Sequence, residues 1–135
     1  MPLNSYRDLK VWQKSMDLTF MVYKLVKFLP REELYALSDQ MRRAVVSIPS
    51  NIAEGRQRGT VNEYKHYLYV AKGSLSELET QLMICEGLGY LGKEQIEPAM
   101  SLCAEISRML TTLIQNLPIG GSKQVINNRL SGNNS

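Results

Sequence analysis

Ten of the chain's sixteen Lys and Arg residues fall within positions 1–60, against six Asp and Glu; after residue 60 six face seven. Cationic side chains bind anions, and the commonest large anion they meet is a nucleic-acid backbone, gripped through its phosphates with little regard to sequence. Nine residues are candidates for that chemistry. Lys10, Lys14, Lys24 and Lys27 lie in one segment near the start, and Arg56 and Arg58 sit in an expected loop. Lys65, Tyr69 and Lys72 share one face of a later helix, where an exposed tyrosine could stack on a base. Each of these cations would also serve as an ordinary solvated charge on a helix surface.

Bond-making chemistry finds no comparable set. His66 is the sole histidine, Cys85 and Cys103 lack CxxC spacing, and no GxSxG, HExxH or glycine-rich phosphate loop occurs. The carboxylate pairs Glu77/Glu79 and Glu94/Glu97 read more simply as helix surface. These residues predict no catalytic site, no metal and no cofactor. Both cysteines fall on apolar stripes, where a thiol behaves as a small hydrophobe.

The elements that must carry these residues are four helices. The first is expected over 6–29, with Leu9, Trp12, Met16, Tyr23 and Val26 as its main stripe. Lys24 and Lys27 suit its negative end, and Pro30 stops it. The second runs over 31–54 with Leu34, Leu37, Met41, Val45, Ile48 and Ile52 inward; Pro49 should kink it, and Gly55 should end it. Thr60 and Glu63 have capping-box spacing, so the third begins there and carries Tyr64, Leu68, Ala71, Leu75, Leu78, Leu82 and Cys85. The fourth, over 93–117, repeats the pattern with Ile96, Ala99, Cys103, Ile106, Leu110, Leu113 and Leu117.

Short connections between similar helices predict one all-α domain over 1–117, an antiparallel up-down-up-down four-helix bundle. Residues 118–135, rich in Gly, Ser and Asn, are expected to be a disordered tail. Helix 1 has a second apolar row, Val11, Leu18, Val22 and Leu25, which is expected to pack on another subunit. Around the proline, Arg43, Ser47, Pro49, Asn51, Glu54 and Gly55 form a basic and small-polar motif. Small hydroxyl and amide groups beside Pro49 can satisfy the carbonyl it frees. On helix 3, Gly73 is expected to allow close approach of helix 2, and Glu77 to pair with Arg43.

These segments also carry a resemblance. RRAVVSIPSNIAEG followed by AKGSLSELE, with DLKVWQKSMDL upstream and LPREELYALSDQMRRA between, resembles the bacterial four-helix-bundle family called 23S rRNA intervening-sequence protein. The likeness spans about residues 6 to 117. It implies a bundle assembled as a homopentamer and a connection to RNA. Relatives include the accessory variability protein of diversity-generating retroelements, which implies a reverse transcriptase as one kind of protein partner.

The expected function is therefore a non-catalytic, oligomeric RNA- or nucleic-acid-associated protein. The alternative is a protein-interaction scaffold that touches no nucleic acid itself. No secretory leader or membrane-length apolar run is evident, so a cytoplasmic protein without a membrane partner is expected.

Overall fold

A computed structural model describes residues 5–119, and these hold four long helices and no strand. They are α1 (Lys10–Leu25), α2 (Leu37–Arg58), α3 (Val61–Gly87) and α4 (Lys93–Asn116). α1 packs on α2 and α4, and α3 packs on the same two, so a single core runs between all four. Of the tail expected over 118–135, residues 120–135 lie outside the described residues.

The inward stripes of α3 and α4 are those the spacing predicts, and every named residue of both is buried. Cys85 and Cys103 are free thiols inside this core, their pKa values pushed up by burial to about 11 and about 12. On α2, Met41, Val45, Ile48 and Ile52 are fully buried, but Leu34 precedes the helix and is exposed.

Helix 1 is shorter than 6–29, and its facing is corrected. Ser5 caps a 3-10 turn at Tyr6–Asp8, Leu9 is extended, and α1 proper begins at Lys10. Val11, Leu18 and Val22 have no exposure at all and Leu25 is also buried, all within this chain's own core. They are not a surface for another subunit. Of the stripe expected to be the main one, Leu9 and Val26 at its two ends are buried in the core, Trp12 and Met16 are half-buried, and Tyr23 is exposed. Both rows are apolar, so periodicity alone could not rank them. Ser15 and Thr19 sit on the true inner side because each hydroxyl donates to the carbonyl four residues back, at 2.7 and 2.8 Å.

α2 starts six residues later than expected. After Pro30 the chain makes a 3-10 turn at Arg31–Glu33, and the Glu33 carboxylate accepts from the Leu37 amide at 3.3 Å. Tyr90, from the α3–α4 connection, donates its hydroxyl to the other oxygen of Glu33 at 2.9 Å. Glu33 thus joins the α1–α2 and α3–α4 connections at one end of the molecule.

The far end of α2 is corrected as well. The helix runs straight through Gly55 to Arg58, and Gly59, at φ +91°, is its left-handed cap. A Cβ at Gly55 would lie 2.7 Å from Tyr67 Cβ and 3.2 Å from Tyr64 Cδ1. Gly55, not Gly73, is the glycine that lets α2 and α3 approach. Gly73 is exposed, with nothing within 4 Å of where its Cβ would be. Thr60 does cap α3, accepting from the Glu63 amide at 3.3 Å.

Pro49 is buried within α2 and cannot donate to the Val45 carbonyl. The group facing that oxygen is Thr19 of α1, at a long 3.5 Å, rather than a neighbouring Ser or Asn. Asn51 donates instead to the Ser47 carbonyl and hydroxyl, at 2.7 and 2.8 Å, and the Ser47 hydroxyl meets that of Ser74 on α3 at 2.8 Å. This polar link, with Gly55 below it, fastens α2 to α3.

Candidate nucleic-acid interface

The nine candidate residues divide by what the fold lets their side chains do. Four are committed inside the chain. Lys14 pairs with Glu105 of α4 at 3.0 Å, and Lys72 donates to the Thr111 hydroxyl of α4 at 3.0 Å. Arg58 donates to the Tyr67 hydroxyl at 2.8 Å, lies 5.3 Å over that ring, and sits 3.5 and 3.4 Å from Glu54 and Glu63. The Tyr67 hydrogen bond is the main reason its pKa is raised, with the two glutamates adding to it. Arg56 is not in a loop but in the last turn of α2, where it is buried. Its Nε and the Tyr64 hydroxyl beside it have no hydrogen-bond partner among the described residues. Burial raises the Tyr64 phenol to about 12 against the opposing pull of Arg56.

The other five are Lys10, Lys24, Lys27 and Tyr69, all exposed, and Lys65, half-buried. None of the four lysines joins an ion pair among the described residues. The structure does not gather them. Lys10 opens α1, Lys65 and Tyr69 lie on the first half of α3, and Lys24 and Lys27 lie at the opposite end of α1 from Lys10.

Lys24 and Lys27 alone acquire a setting. Phe20, Tyr23, Lys24 and Lys27 follow i, i+3, i+4, i+7 spacing, so they share one outward stripe of α1 and of the 3-10 turn at Val26–Phe28 that ends it, and line a shallow hollow together. Phe20 is 58% and Tyr23 41% exposed, although large aromatic rings usually seek the interior. A second hollow, of about 270 Å³, adjoins it through Lys27 and adds Arg31 and Arg42 above Val26, Leu29, Pro30, Leu34 and Ser38. No acidic residue lines either hollow. Arg42 is steadied by a bond from its guanidinium to the Leu34 carbonyl at 3.2 Å. Four cations and two aromatic rings therefore converge where α1 turns into α2.

Phe20, Tyr23, Arg31 and Arg42 were not legible as site residues. Tyr23 read as part of the apolar stripe of helix 1, and Phe20, Arg31 and Arg42 carried no signal of their own. The one available signal was Pro30: a proline-terminated turn folds Arg31 and Arg42 back over the helix end that carries Lys27.

The motif residues around Pro49 are structural. Arg43 pairs with Asp39 on its own helix at 3.0 Å and is largely exposed, not with Glu77. Glu77 instead accepts weakly from Gln81 at 3.4 Å. Each side chain finds its partner one turn away on its own helix instead of across the α2–α3 contact.

Residues 7–112 match the family model described as 23S rRNA-intervening sequence protein. The chain belongs to this family. A solved structure from Bacteroides thetaiotaomicron VPI-5482, described as a protein of unknown function from the S23 ribosomal protein family, is similar throughout. It is 28% identical, with a TM-score of 0.73, over 78% of this chain and 99% of its own. No curated protein matches the chain. The 23S rRNA-intervening sequence match spans α1 to α4 and takes in both hollows. Among the described residues no helix is long and apolar enough to cross a membrane.

Proposed function

We propose that this chain is a non-catalytic, homo-oligomeric nucleic-acid-binding protein, an antiparallel up-down-up-down bundle that grips RNA phosphates with Lys and Arg. One observation carries the reading: Lys24, Lys27, Arg31 and Arg42 surround two adjoining hollows that no carboxylate lines. Salt-bridged cations add little to an external field, whereas these four stand free of ion pairs among the described residues. The family's association with a 23S rRNA intervening sequence points to the same ligand. The antiparallel course is supported by α2 and α3, where Ser47 meets Ser74 while Gly55, further along α2, meets Tyr64 and Tyr67, further back on α3. In the pentamer that the resemblance implies, a formal charge of +3 per chain becomes 5 × 3, or +15. Five copies of one patch would bind a long RNA with avidity.

The test is a salt titration of RNA affinity with the full chain and with Lys24→Gln, Lys27→Gln and Arg31→Gln combined. Each phosphate contact removed should flatten the slope of log K against log salt by roughly 0.7–0.9. Lys14→Gln and Lys72→Gln, which disturb internal partners, should leave the slope unchanged. An unaltered slope in the triple variant would refute the assignment.

A second reading has its own observation. Tyr6, Trp12, Met16, Val46, Pro49 and Ala53 line an apolar groove between α1 and α2. This groove suits a protein partner, of which a reverse transcriptase is the kind the resemblance implies. Binding of a protein that survives high salt, is lost in Trp12→Ala and is untouched by the triple variant would favour the scaffold.

A further inference from the structure

Resting on the nucleic-acid reading, we infer that the ligand at the α1 end is single-stranded, its unpaired bases stacking on Phe20 and Tyr23 while Lys24, Lys27, Arg31 and Arg42 hold its phosphates. Lysine contacts alone do not distinguish a duplex from a single strand, since both present phosphates. The rings do. In a duplex the base faces are stacked on one another inside the helix, and an aromatic side chain on a convex protein surface cannot reach them. In a single strand every base offers a free face, and exposed aromatic rings beside cations are the arrangement that captures it.

Three features of the face fit that ligand. First, its rings are presented rather than packed: Phe20 and Tyr23 are among the more exposed large apolar side chains of α1, and neither has an aromatic partner among the described residues. Second, the two rings and then the two cations follow one another along one stripe, from Phe20 to Lys27, a rise of about 10 Å at 1.5 Å per residue. Stacked bases rise about 3.4 Å each, so this stripe accommodates on the order of three nucleotides. Third, the stripe continues without a carboxylate lining into the hollow of Lys27, Arg31 and Arg42. A backbone leaving the rings therefore meets positive charge. Asp17 lies one turn before Phe20 and Glu32 follows Arg31, so acidic groups bound the path at its margins.

A second protein copy is the competing occupant. The cores of protein interfaces are depleted of lysine, because each ammonium must lose its hydration. Here two lysines share the stripe with the two rings, which favours the polyanion.

The experiment measures fluorescence anisotropy of the full chain with a labelled single-stranded RNA 12-mer and with the same sequence annealed to its complement. Tighter binding of the single strand is expected. Phe20→Ala with Tyr23→Ala should weaken the single strand by about tenfold or more and the duplex little. Both positions are exposed, and an unchanged circular-dichroism melt shows that the variant folds. Phe20→Trp gives an independent readout: an indole stacked on a base should be quenched by the single strand. Equal affinity for the two RNAs, with no effect of the alanine pair and no quenching, would overturn the inference while leaving the phosphate reading intact. Absence of binding to either RNA at low salt would overturn both. A change in oligomeric state in the alanine pair, with RNA affinity retained, would assign the face to a second copy and overturn the inference.

Discussion

Adding one methyl group at Gly55 and one at Gly73 should move stability in opposite directions. The new Cβ at Gly55 would sit 2.7 Å from Tyr67 Cβ, about 1 Å inside ordinary carbon–carbon contact. Tyr67 Cβ is one bond from the backbone and cannot swing aside. The Tyr64 carbonyl, 3.3 Å away, is equally fixed. α3 must therefore shift, and overpacking of this kind destabilises by about 1–3 kcal/mol. Helix propensity favours alanine by up to about 1 kcal/mol, less near a helix end, which leaves a net loss of about 1–2 kcal/mol. At Gly73 nothing opposes the added methyl, so Gly73→Ala should gain about 0.5–1 kcal/mol. Urea unfolding followed by circular dichroism, with the slope held constant, separates the two. In thermal melts they should differ in sign, by roughly 3–5 °C per kcal/mol. A Gly55→Ala variant as stable as the parent would refute the close approach, and a destabilised Gly73→Ala would return that glycine to the helix interface.

Leu18→Glu with Val22→Glu should abolish folding rather than release a soluble monomer, because both side chains are wholly buried in the chain's own core. Leu18→Ala alone should lose about 2–5 kcal/mol; a folded, monomeric double-glutamate variant by gel filtration would show these residues to be surface. Alkaline pH should also unfold the protein. Cys85, Cys103 and Tyr64 keep their protons in the folded state to about 11, 12 and 12, while unfolded thiols and phenols release theirs near 9 and 10. The folded pKa values are raised, so this stability is complete below pH 9 and is lost as pH rises to 12. Each pH unit in which one thiol ionises only when unfolded removes about 1.4 kcal/mol. Cys103→Ala should flatten the decline measured by urea titration between pH 9 and 11, and an unchanged decline would show that the thiol titrates alike in both states.

The stripes of α3 and α4 were legible because each carries one unbroken apolar row at 3.5-residue spacing, while their other apolar residues, such as Tyr69, Val70, Met83 and Ile84 on α3, keep no such period. α1 was not: Val11–Leu18–Val22–Leu25 and Leu9–Trp12–Met16–Tyr23–Val26 are both apolar, and hydropathy does not say that the core takes the whole of the first and only the two ends of the second. Side-chain size is the better guide. The rejected row has branched residues of similar volume, interspersed with Ser15 and Thr19, whose hydroxyls can fold back onto the helix. The chosen row has an indole and a phenol, which are less readily enclosed. Gly55 and Gly73 were transposed because each is a helical glycine in a family-like motif, and only the helix partner reveals which one a neighbour crowds. Arg31 and Arg42 stand eleven residues apart, and nothing in linear order brings them to Lys27 before the turn at Pro30 is known.

The inversion of α1 joins stability to function. Once the Val11–Leu25 row fills the core, the stripe carrying Phe20, Tyr23, Lys24 and Lys27 must face out, since residues three, four and seven apart cannot leave a common face. That outward stripe is under no packing demand from the four helices. Aromatic rings left about half in water there gain less from folding than buried ones, so the fold alone gives little reason to keep them. The charge count misleads in the same way, treating every cation as available to a partner. Lys14 and Lys72 are occupied in tying α1 and α3 to α4, Arg58 in closing the α2–α3 turn, and Arg56 is buried. Of the cations that remain, Lys24, Lys27, Arg31 and Arg42 lie together where α1 passes into α2, beside the two rings. A residue set that folding does not use, assembled from two helices and the turn between them, is where selection for binding leaves its mark. Substitutions along this set should therefore alter affinity at constant stability, whereas those at Lys14, Lys72 and Arg56 should alter stability first.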